Sequence, residues 1–411
     1  MSAAPGGRRV LVLSYFFPPL GGAGVQRTLK HVKYLPAAGW APTVVTTRSD
    51  WYPARDPSLA RDVPPGTPVL RAADPGALRL ATMAASRAGA LAQLTGWPDE
   101  AAAWIPGAVR AAVRAARRER FDALYSSSAP LSSHLAALAV QRRTGLPWVA
   151  DFRDEWAENP YAHRIAPVAA LTRRAERAVR DRAAAVVVAA EHYVIGGHGP
   201  DDPKRVTITN GADPDDVPDL APAPRNERMR LVFTGTLYGD IDLAPVLEAL
   251  ARLAAGGRID PARIELRLAG NVWVPALPSA GAVEVVRLGY VDHARAVQEM
   301  ANADVLVAHV DPSSRNTPAK VFEYLATGRP ILCATHPESL SHRLVAELGA
   351  GWAVDPRDGA AVERAIEDAY RRWTAGDLPT RPEVREQALR RHGRDVLARE
   401  LAAVLQRAAG P

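Results

Sequence analysis

The sequence predicts an α/β fold class: two doubly wound Rossmann-like domains facing a central cleft. Three observations carry this. Short apolar runs without polar alternation, such as residues 184–189, 231–234 and 305–310, have the composition of strands buried on both faces, as in parallel sheets. Stretches with helical apolar spacing lie between them, for example Val25, Leu29, Val32 and Leu35. The strand–helix rhythm then restarts after a proline- and acid-rich segment at 213–228, which reads as a linker. A chain of 411 residues exceeds the usual single-domain size, and two cores account for it. The expected domains are 1–214 and 215–380, with a C-terminal helical segment, 381–411, crossing back to the first.

Composition narrows the class. The single cysteine, Cys333, excludes an intrachain disulfide and leaves no cysteine cluster for a metal. No apolar run approaches the roughly 20 residues that cross a bilayer, and no signal-type core follows Arg8-Arg9, so a cytoplasmic protein is expected. Residues 1–200 hold 25 Lys and Arg against 15 Asp and Glu, while 201–411 hold 26 against 30. The excess is concentrated at 110–120 and 164–182. No aromatics interleave with these basic residues, which argues against nucleic acid as a partner. A solvated helix face is the favoured reading of this charge, with a phosphorylated ligand, or weak peripheral contact of 164–182 with the inner face of an anionic membrane, as the functional alternatives.

In the first half, strand 9–14 runs into Tyr15-Phe16-Phe17-Pro18-Pro19-Leu20-Gly21-Gly22 and then a helix at 25–35. A glycine-rich turn between a first strand and a first helix allows close backbone approach by a ligand. Arg27 and Lys30 project from the first turns of that helix. Residues 40–46 form a strand. Residues 50–108 are proline-rich and mostly unassigned, apart from a helix at 78–94. A helix at 108–118 and a strand at 123–126 follow, then Ser126-Ser127-Ser128-Ala129-Pro130 and a helix opening at His134. Strand 147–150 ends in Asp151-Phe152-Arg153-Asp154-Glu155-Trp156, readable as a ligand-binding edge or as a salt-bridged loop. Strand 205–209 ends in the turn Asn210-Gly211.

In the second half, strand 231–234 leads to Gly235-Thr236, strand 264–268 to Gly270-Asn271, and 283–288 to Gly289-Tyr290-Val291. Strand 305–310 precedes Arg315-Asn316-Thr317-Pro318-Ala319-Lys320-Val321-Phe322-Glu323. Thr317-Pro318 suits a helix start and Gly328 its end. Unpaired N–H groups and the dipole at a helix start favour an anion, and Lys320 and Glu323 share a helix face. A cation for a phosphate and a carboxylate for ribose hydroxyls would make a nucleotide-diphosphate clamp; a packing helix with a surface ion pair has the same pattern. Helices at 341–348 and 359–374, a strand at 351–354, and an amphipathic stretch at 384–408 broken near His392-Gly393 complete the chain.

With these pieces in order, the sequence resembles the family 4 retaining glycosyltransferases of GT-B fold. The pieces are Phe17-Pro18-Pro19…Gly21-Gly22 with Arg27, Asn210-Gly211-Ala212-Asp213, Phe233-Thr234-Gly235-Thr236-Leu237, Gly289-Tyr290-Val291 and the run from Lys320 to Pro330. The segments Ser127-Ser128-Ala129-Pro130…His134 and Asp151-Phe152-Arg153-Asp154-Glu155-Trp156 look most like the subgroup acting on bacterial surface polysaccharides and secondary metabolites. The resemblance implies a nucleoside-diphosphate-sugar co-substrate, a sugar, lipid-linked or natural-product acceptor, retention of configuration, and no other cofactor or metal. It implies a donor site of Gly21, Gly22, Arg27, Gly235, Thr236, Asn271, Tyr290, Val291, Arg315, Asn316, Thr317, Pro318, Ala319, Lys320 and Glu323. His134, Lys320 and Glu323 are the implied catalytic residues. Asp151, Arg153, Asp154 and Trp156 are the expected acceptor side.

The departures from the family pattern are as specific as the matches. Arg315 stands where the family carries the first glutamate of a pair, and Thr236 where many members carry an arginine. Asp240-Ile241-Asp242 replaces the expected lysine region; it superficially resembles a metal-binding Asp-x-Asp but sits in a loop of another fold type. Lys320, Arg315 and Arg27 are therefore the expected cations for the leaving diphosphate. Two other readings share the architecture, a sugar-nucleotide 2-epimerase and a non-catalytic nucleotide-binding protein.

Overall fold

The structure is a computed structural model that describes residues 7–48, 55–75, 93–94, 96–159, 162, 164–217, 226–237, 243–274, 276–309 and 315–410. The expected helix at 78–94, apart from its last two residues, and the Asp240-Ile241-Asp242 segment lie outside them. The chain divides into two compact units, Met1–Thr209 with Asp395–Pro411, and Asn210–Arg394.

The first unit holds a parallel sheet of β1 (Arg8–Leu13), β2 (Trp40–Thr47), β3 (Val69–Ala72), β4 (Ala123–Ser128), β5 (Trp148–Phe152), β6 (Ala185–Val188) and β7 (Arg205–Thr207). Their order is β3-β2-β1-β4-β5-β6-β7. Val10, Leu11, Val12 and Leu13 of β1 are all fully buried, so neither sheet face is open there. The direction of strand addition reverses between β1 and β4, and such a reversal leaves a crevice at the carboxyl ends of the two strands. Helix Ala23–Tyr34 follows β1 and helix Ser132–Thr144 follows β4.

The second unit repeats the plan with β8 (Met229–Thr234), β9 (Ile264–Ala269), β10 (Glu284–Gly289), β11 (Val305–His309), β12 (Ile331–Ala334) and β13 (Gly351–Val354). The order is β10-β9-β8-β11-β12-β13, again parallel, with the reversal between β8 and β11. Each unit has its own hydrophobic core, one centred on β1, β4 and β5, the others on the two faces of the second sheet.

Most boundaries agree with the sequence reading to within a few residues, and four differences are informative. Strand β3 lies in the stretch left unassigned, because Pro64-Pro65 and Pro68 crowd its start and it contributes only a short edge. Strand β5 runs to Phe152, so Asp151 belongs to the strand and not to the loop beyond it. The second unit begins at Asn210, within the Asn-Gly turn and ahead of the expected boundary at 214. The C-terminal stretch is broken at Gly393 as read, but helix Pro382–His392 packs within the second unit, through Val384 and Ala388. Only 395–411 belongs to the first unit, where Leu397, Leu401 and Leu405 join the core. No helix among the described residues is long and apolar enough to cross a membrane.

Candidate functional site

In the second unit the site grows out of the strand reversal. Pro318 ends the loop after β11 in extended conformation, and Gly328 closes the following helix, Ala319–Thr327, in the left-handed region at φ 63°. Val321, Phe322, Tyr324 and Leu325 form the buried face of that helix. Lys320 and Glu323, three apart, are left on the other.

Both Lys320 and Tyr324 reach across the reversal to β8. The Lys320 ammonium donates to the Thr234 carbonyl oxygen at 3.0 Å and lies 3.4 Å from the centroid of the Phe233 ring. The Tyr324 hydroxyl accepts from the Thr234 N–H at 2.9 Å. One helix therefore holds both polar groups of a single residue at the carboxyl end of β8. Although Lys320 as a residue keeps some exposure, burial of its ammonium lowers the pKa to about 7, with the nearby Glu323 carboxylate opposing the shift. Among the described residues, no hydrogen bond involves the half-buried Glu323 carboxylate, which leaves its acceptor sites open.

The remaining second-unit residues sort themselves around this pair. Gly235 follows Thr234 at φ +116°, and a methyl group there would stand 3.5 Å from the Lys320 nitrogen, in ordinary contact with it, so the backbone conformation is what favours glycine. Gly270 is tighter: a methyl group on it would lie 2.1 Å from the Gly235 carbonyl oxygen, and its φ is +148°. The Asn271 carbonyl accepts from Leu237 N–H at 2.9 Å. Thr236 is half-buried beside it. Tyr290, 43% exposed, and half-buried Val291 follow β10. Asn316, Thr317, Pro318 and Ala319 line the approach to the helix, with the Thr317 hydroxyl accepting from Ser341 N–H at 3.3 Å. Arg315 is exposed and pairs with Glu338 at 2.8 Å, an ion pair in contact with solvent.

In the first unit Gly21 is buried and Gly22 exposed, the latter preceding helix Ala23–Tyr34 at φ 89°. A methyl group on Gly24 would meet the Phe16 ring at 2.9 Å and the Arg153 guanidinium at 3.4 Å. Arg153 thus lies against the glycine turn, where it donates to Asp154 at 3.2 Å.

Arg27 and Asp151 are not ligand-facing groups. They form a buried ion pair, Nε to Oδ2 at 2.8 Å and Nη2 to Oδ1 at 2.7 Å. Arg27 also donates to the Ile208 and Thr209 carbonyls, each at 2.8 Å, the last residues of the first unit before the chain passes on. Asp151 further accepts from the hydroxyls of Tyr125 at 2.7 Å and Ser127 at 2.9 Å. Since Tyr125 donates to Asp151, its oxygen accepts from His31 Nδ1 at 2.9 Å. Burial alone would raise the Asp151 carboxyl, but the Arg27 charge and these donors hold it far below the usual carboxylate range. The physical reason for the correction is register: β5 alternates, so Asp151 points to one sheet face, toward helix Ala23–Tyr34, and Phe152 to the other.

His134 and Trp156 are enclosed as well, and His134 Nε2 and Trp156 Nε1 have no hydrogen-bond partner among the described residues. His134 is fully buried, its ring 4.3 Å from that of Phe152, and its Nδ1 bonded to Ser126 at 2.8 Å. Ser126 also accepts from Trp148 Nε1 at 2.8 Å, so its hydroxyl joins the two rings. Burial lowers the imidazole pKa to about 3, leaving it neutral near pH 7. The start of its helix is occupied from within, because the Asp99 carboxylate accepts from Ser132 N–H at 2.9 Å and from the Ser132 hydroxyl at 2.6 Å. Sequence reasoning missed Asp99, which comes from a segment it left unassigned. Trp156 is likewise fully buried and packs in the first core.

The basic helix Ala166–Arg182 is partly spent on internal structure. Arg180 makes paired bonds to Asp202 at 2.8 and 2.9 Å, and buried Glu176 accepts from the N–H groups of Ala157 and Gly196.

Comparison with known proteins agrees with this layout. Residues 21–211 match the glycosyl transferase 4-like domain, and residues 228–372 match glycosyl transferases group 1. No curated sequence matches the chain. Among solved structures, the Anabaena protein HepE in complex with UDP and glucose is similar at 14% identity and a TM-score of 0.66. That likeness covers 97% of this chain and 99% of that one. The same protein with UDP-glucose gives 13% identity, equal coverage and a TM-score of 0.65. The α,α-trehalose 6-phosphate synthase of Burkholderia multivorans gives 14% identity, 97% and 98% coverage and a TM-score of 0.58. At such identities the structures establish the fold, while the two domain matches, together spanning most of the sequence, establish the family: the chain belongs to the family 4-like glycosyltransferases of GT-B fold.

Proposed function

We propose that this glycosyltransferase moves a sugar from a nucleoside-diphosphate sugar to an acceptor hydroxyl or amine with retention of anomeric configuration, using fixed cations and dipoles in place of a metal. The observation that carries the reading is the placement of Lys320 and Glu323 at the strand reversal. Lys320 stands in the first turn of its helix, where the helix dipole and a cation together would stabilise a diphosphate. Glu323 has its carboxylate open to accept from two ribose hydroxyls.

In the reaction the bond from anomeric carbon to phosphate oxygen breaks, and its electron pair leaves with the diphosphate. The acceptor oxygen bonds to the anomeric carbon from the same face, and its proton passes to the departing phosphate oxygen. What the protein supplies is charge stabilisation that grows as the diphosphate departs. With His134 neutral and enclosed, it positions Phe152 and β4 and carries no proton in this scheme. The acceptor side we assign to Arg153 and Asp154, the two polar residues of that segment that remain beside the glycine turn.

A panel of nucleoside-diphosphate sugars tested with hydroxyl acceptors, with product anomers read by proton NMR, tests the reading. Retained product without added divalent metal is expected. Inverted product, or strict dependence on a divalent metal, overturns the corresponding part. An epimerised donor formed without acceptor would assign an isomerase instead. Binding without turnover of any donor would assign a non-catalytic nucleotide binder, a reading that Arg315 at the place of the family's first glutamate favours.

A further inference from the structure

Trp273 is 68% exposed, the most exposed large apolar side chain among the described residues. Its indole has no hydrogen bond or ring contact among them, yet its backbone is held firmly. Trp273 N–H donates to the Leu237 carbonyl at 2.8 Å, and Leu237 N–H donates to Asn271 at 2.9 Å. Gly235 N–H donates to Ala269 at 2.9 Å, and Gly270 N–H donates to Gly289 at 2.8 Å. The loops after β8, β9 and β10 are thus laced together, and the missing side chain of Gly270 lets the first two touch. An indole left in water on a well-fixed loop is unlike a flexible surface residue. It stands at the carboxyl edge of a parallel sheet, where α/β folds bind ligands.

The neighbouring strand end presents a second ring, Tyr290, one residue after Gly289. Along the sheet, Glu323 lies on the helix after β11, Lys320 reaches β8, Trp273 follows β9 and Tyr290 follows β10. Adjacent strands lie about 4.8 Å apart, so β11 to β9 spans roughly 10 Å, the reach of a nucleoside from ribose to the far edge of its base. With ribose at Glu323, the base falls over the end of β9, with that of β10 beside it.

Resting on the nucleotide-sugar reading above, we infer that Trp273 is the stacking platform for the base of the donor nucleotide. Stacking on an indole uses the π-face that every base has, so this contact gives affinity without choosing the base. Base choice falls to the main-chain groups around Tyr290 and Val291.

Binding of UDP and of inorganic pyrophosphate, measured by calorimetry on wild type, Trp273→Ala and Trp273→Phe, tests this. Trp273→Ala is expected to weaken UDP about tenfold and leave pyrophosphate unchanged, with Trp273→Phe close to wild type. Its thermal midpoint should match wild type, because the indole is exposed. Unchanged UDP affinity in Trp273→Ala overturns the inference, as does an equal loss for UDP and pyrophosphate. Wild type that binds no nucleoside diphosphate at all overturns the nucleotide-sugar reading itself, and the two failures are distinguishable.

Discussion

The Lys320 ammonium is bonded to the main-chain carbonyl of Thr234 at 3.0 Å, across the strand reversal of the second sheet. Burial takes the ammonium out of water, and a neutral carbonyl and an aromatic face replace that hydration only in part, so the lysine pKa falls to about 7 although the Glu323 carboxylate opposes the shift.

A diphosphate bound beside Lys320 raises its pKa again, so at pH 8 binding takes up a proton. Donor affinity should therefore be highest below pH 7 and fall as pH rises above it. Calorimetry from pH 6 to 9, in buffers of differing ionisation enthalpy, reads both quantities. Lys320→Arg, which keeps its charge throughout, should give a flat profile; a flat profile in wild type would remove the role. The same depression acts on folding: the unfolded chain holds this proton up to 10.5 and the folded site only to about 7, so this site adds stability as pH rises across that window.

Glu323→Gln should weaken donor binding by about ten- to a hundredfold, the worth of hydrogen bonds to a charged acceptor. Its unfolding midpoint should stay near wild type, since no hydrogen bond among the described residues depends on the carboxylate. Affinity for inorganic pyrophosphate, which lacks ribose, should hold. An unaltered donor affinity would dismiss the clamp.

Arg27→Ala should destabilise the first unit by about 3–5 kcal/mol, because it strands the Asp151 charge in the core. The double variant Arg27→Met with Asp151→Leu should lose less than Arg27→Ala alone. Urea unfolding followed by tryptophan fluorescence compares them. Donor affinity per folded molecule should be unchanged, in contrast to a phosphate-binding arginine.

Gly270→Ala places a methyl group 2.1 Å from the Gly235 carbonyl oxygen, so the loops after β8 and β9 must part. Both thermal midpoint and donor affinity should fall together, because Gly235 also borders Lys320. A midpoint equal to wild type would show that the close approach carries no weight.

How much of this was legible depended on distance along the chain. The double set of apolar strands and the Lys320–Glu323 pair were visible because their signals are local: a run buried on both faces, or two residues one helical turn apart. The Arg27–Asp151 pair was not, since it joins residues 124 positions apart and a charge in sequence reads as a surface group until its partner is known. One residue of strand length decided Asp151, because extending β5 past Ala150 turned a loop acid into a core one. For His134 the sequence showed a histidine opening a helix after a strand, and what it could not show was that Phe152 and Ser126 take its ring face and Nδ1 while Nε2 is left without a hydrogen-bond partner among the described residues. Trp273 was passed over because a lone tryptophan between two valines, just ahead of Pro275, carries no periodicity that marks a ligand site.

Arg27 holds the carbonyls of Ile208 and Thr209, the point where the polypeptide leaves one sheet system for the other. For anyone recombining halves of related enzymes, the natural seam is consequently the Thr209–Asn210 peptide together with a matching cut at Arg394. A splice upstream of Ile208 would separate the guanidinium from its native tether, and hybrids joined there should express poorly whatever donor half they carry.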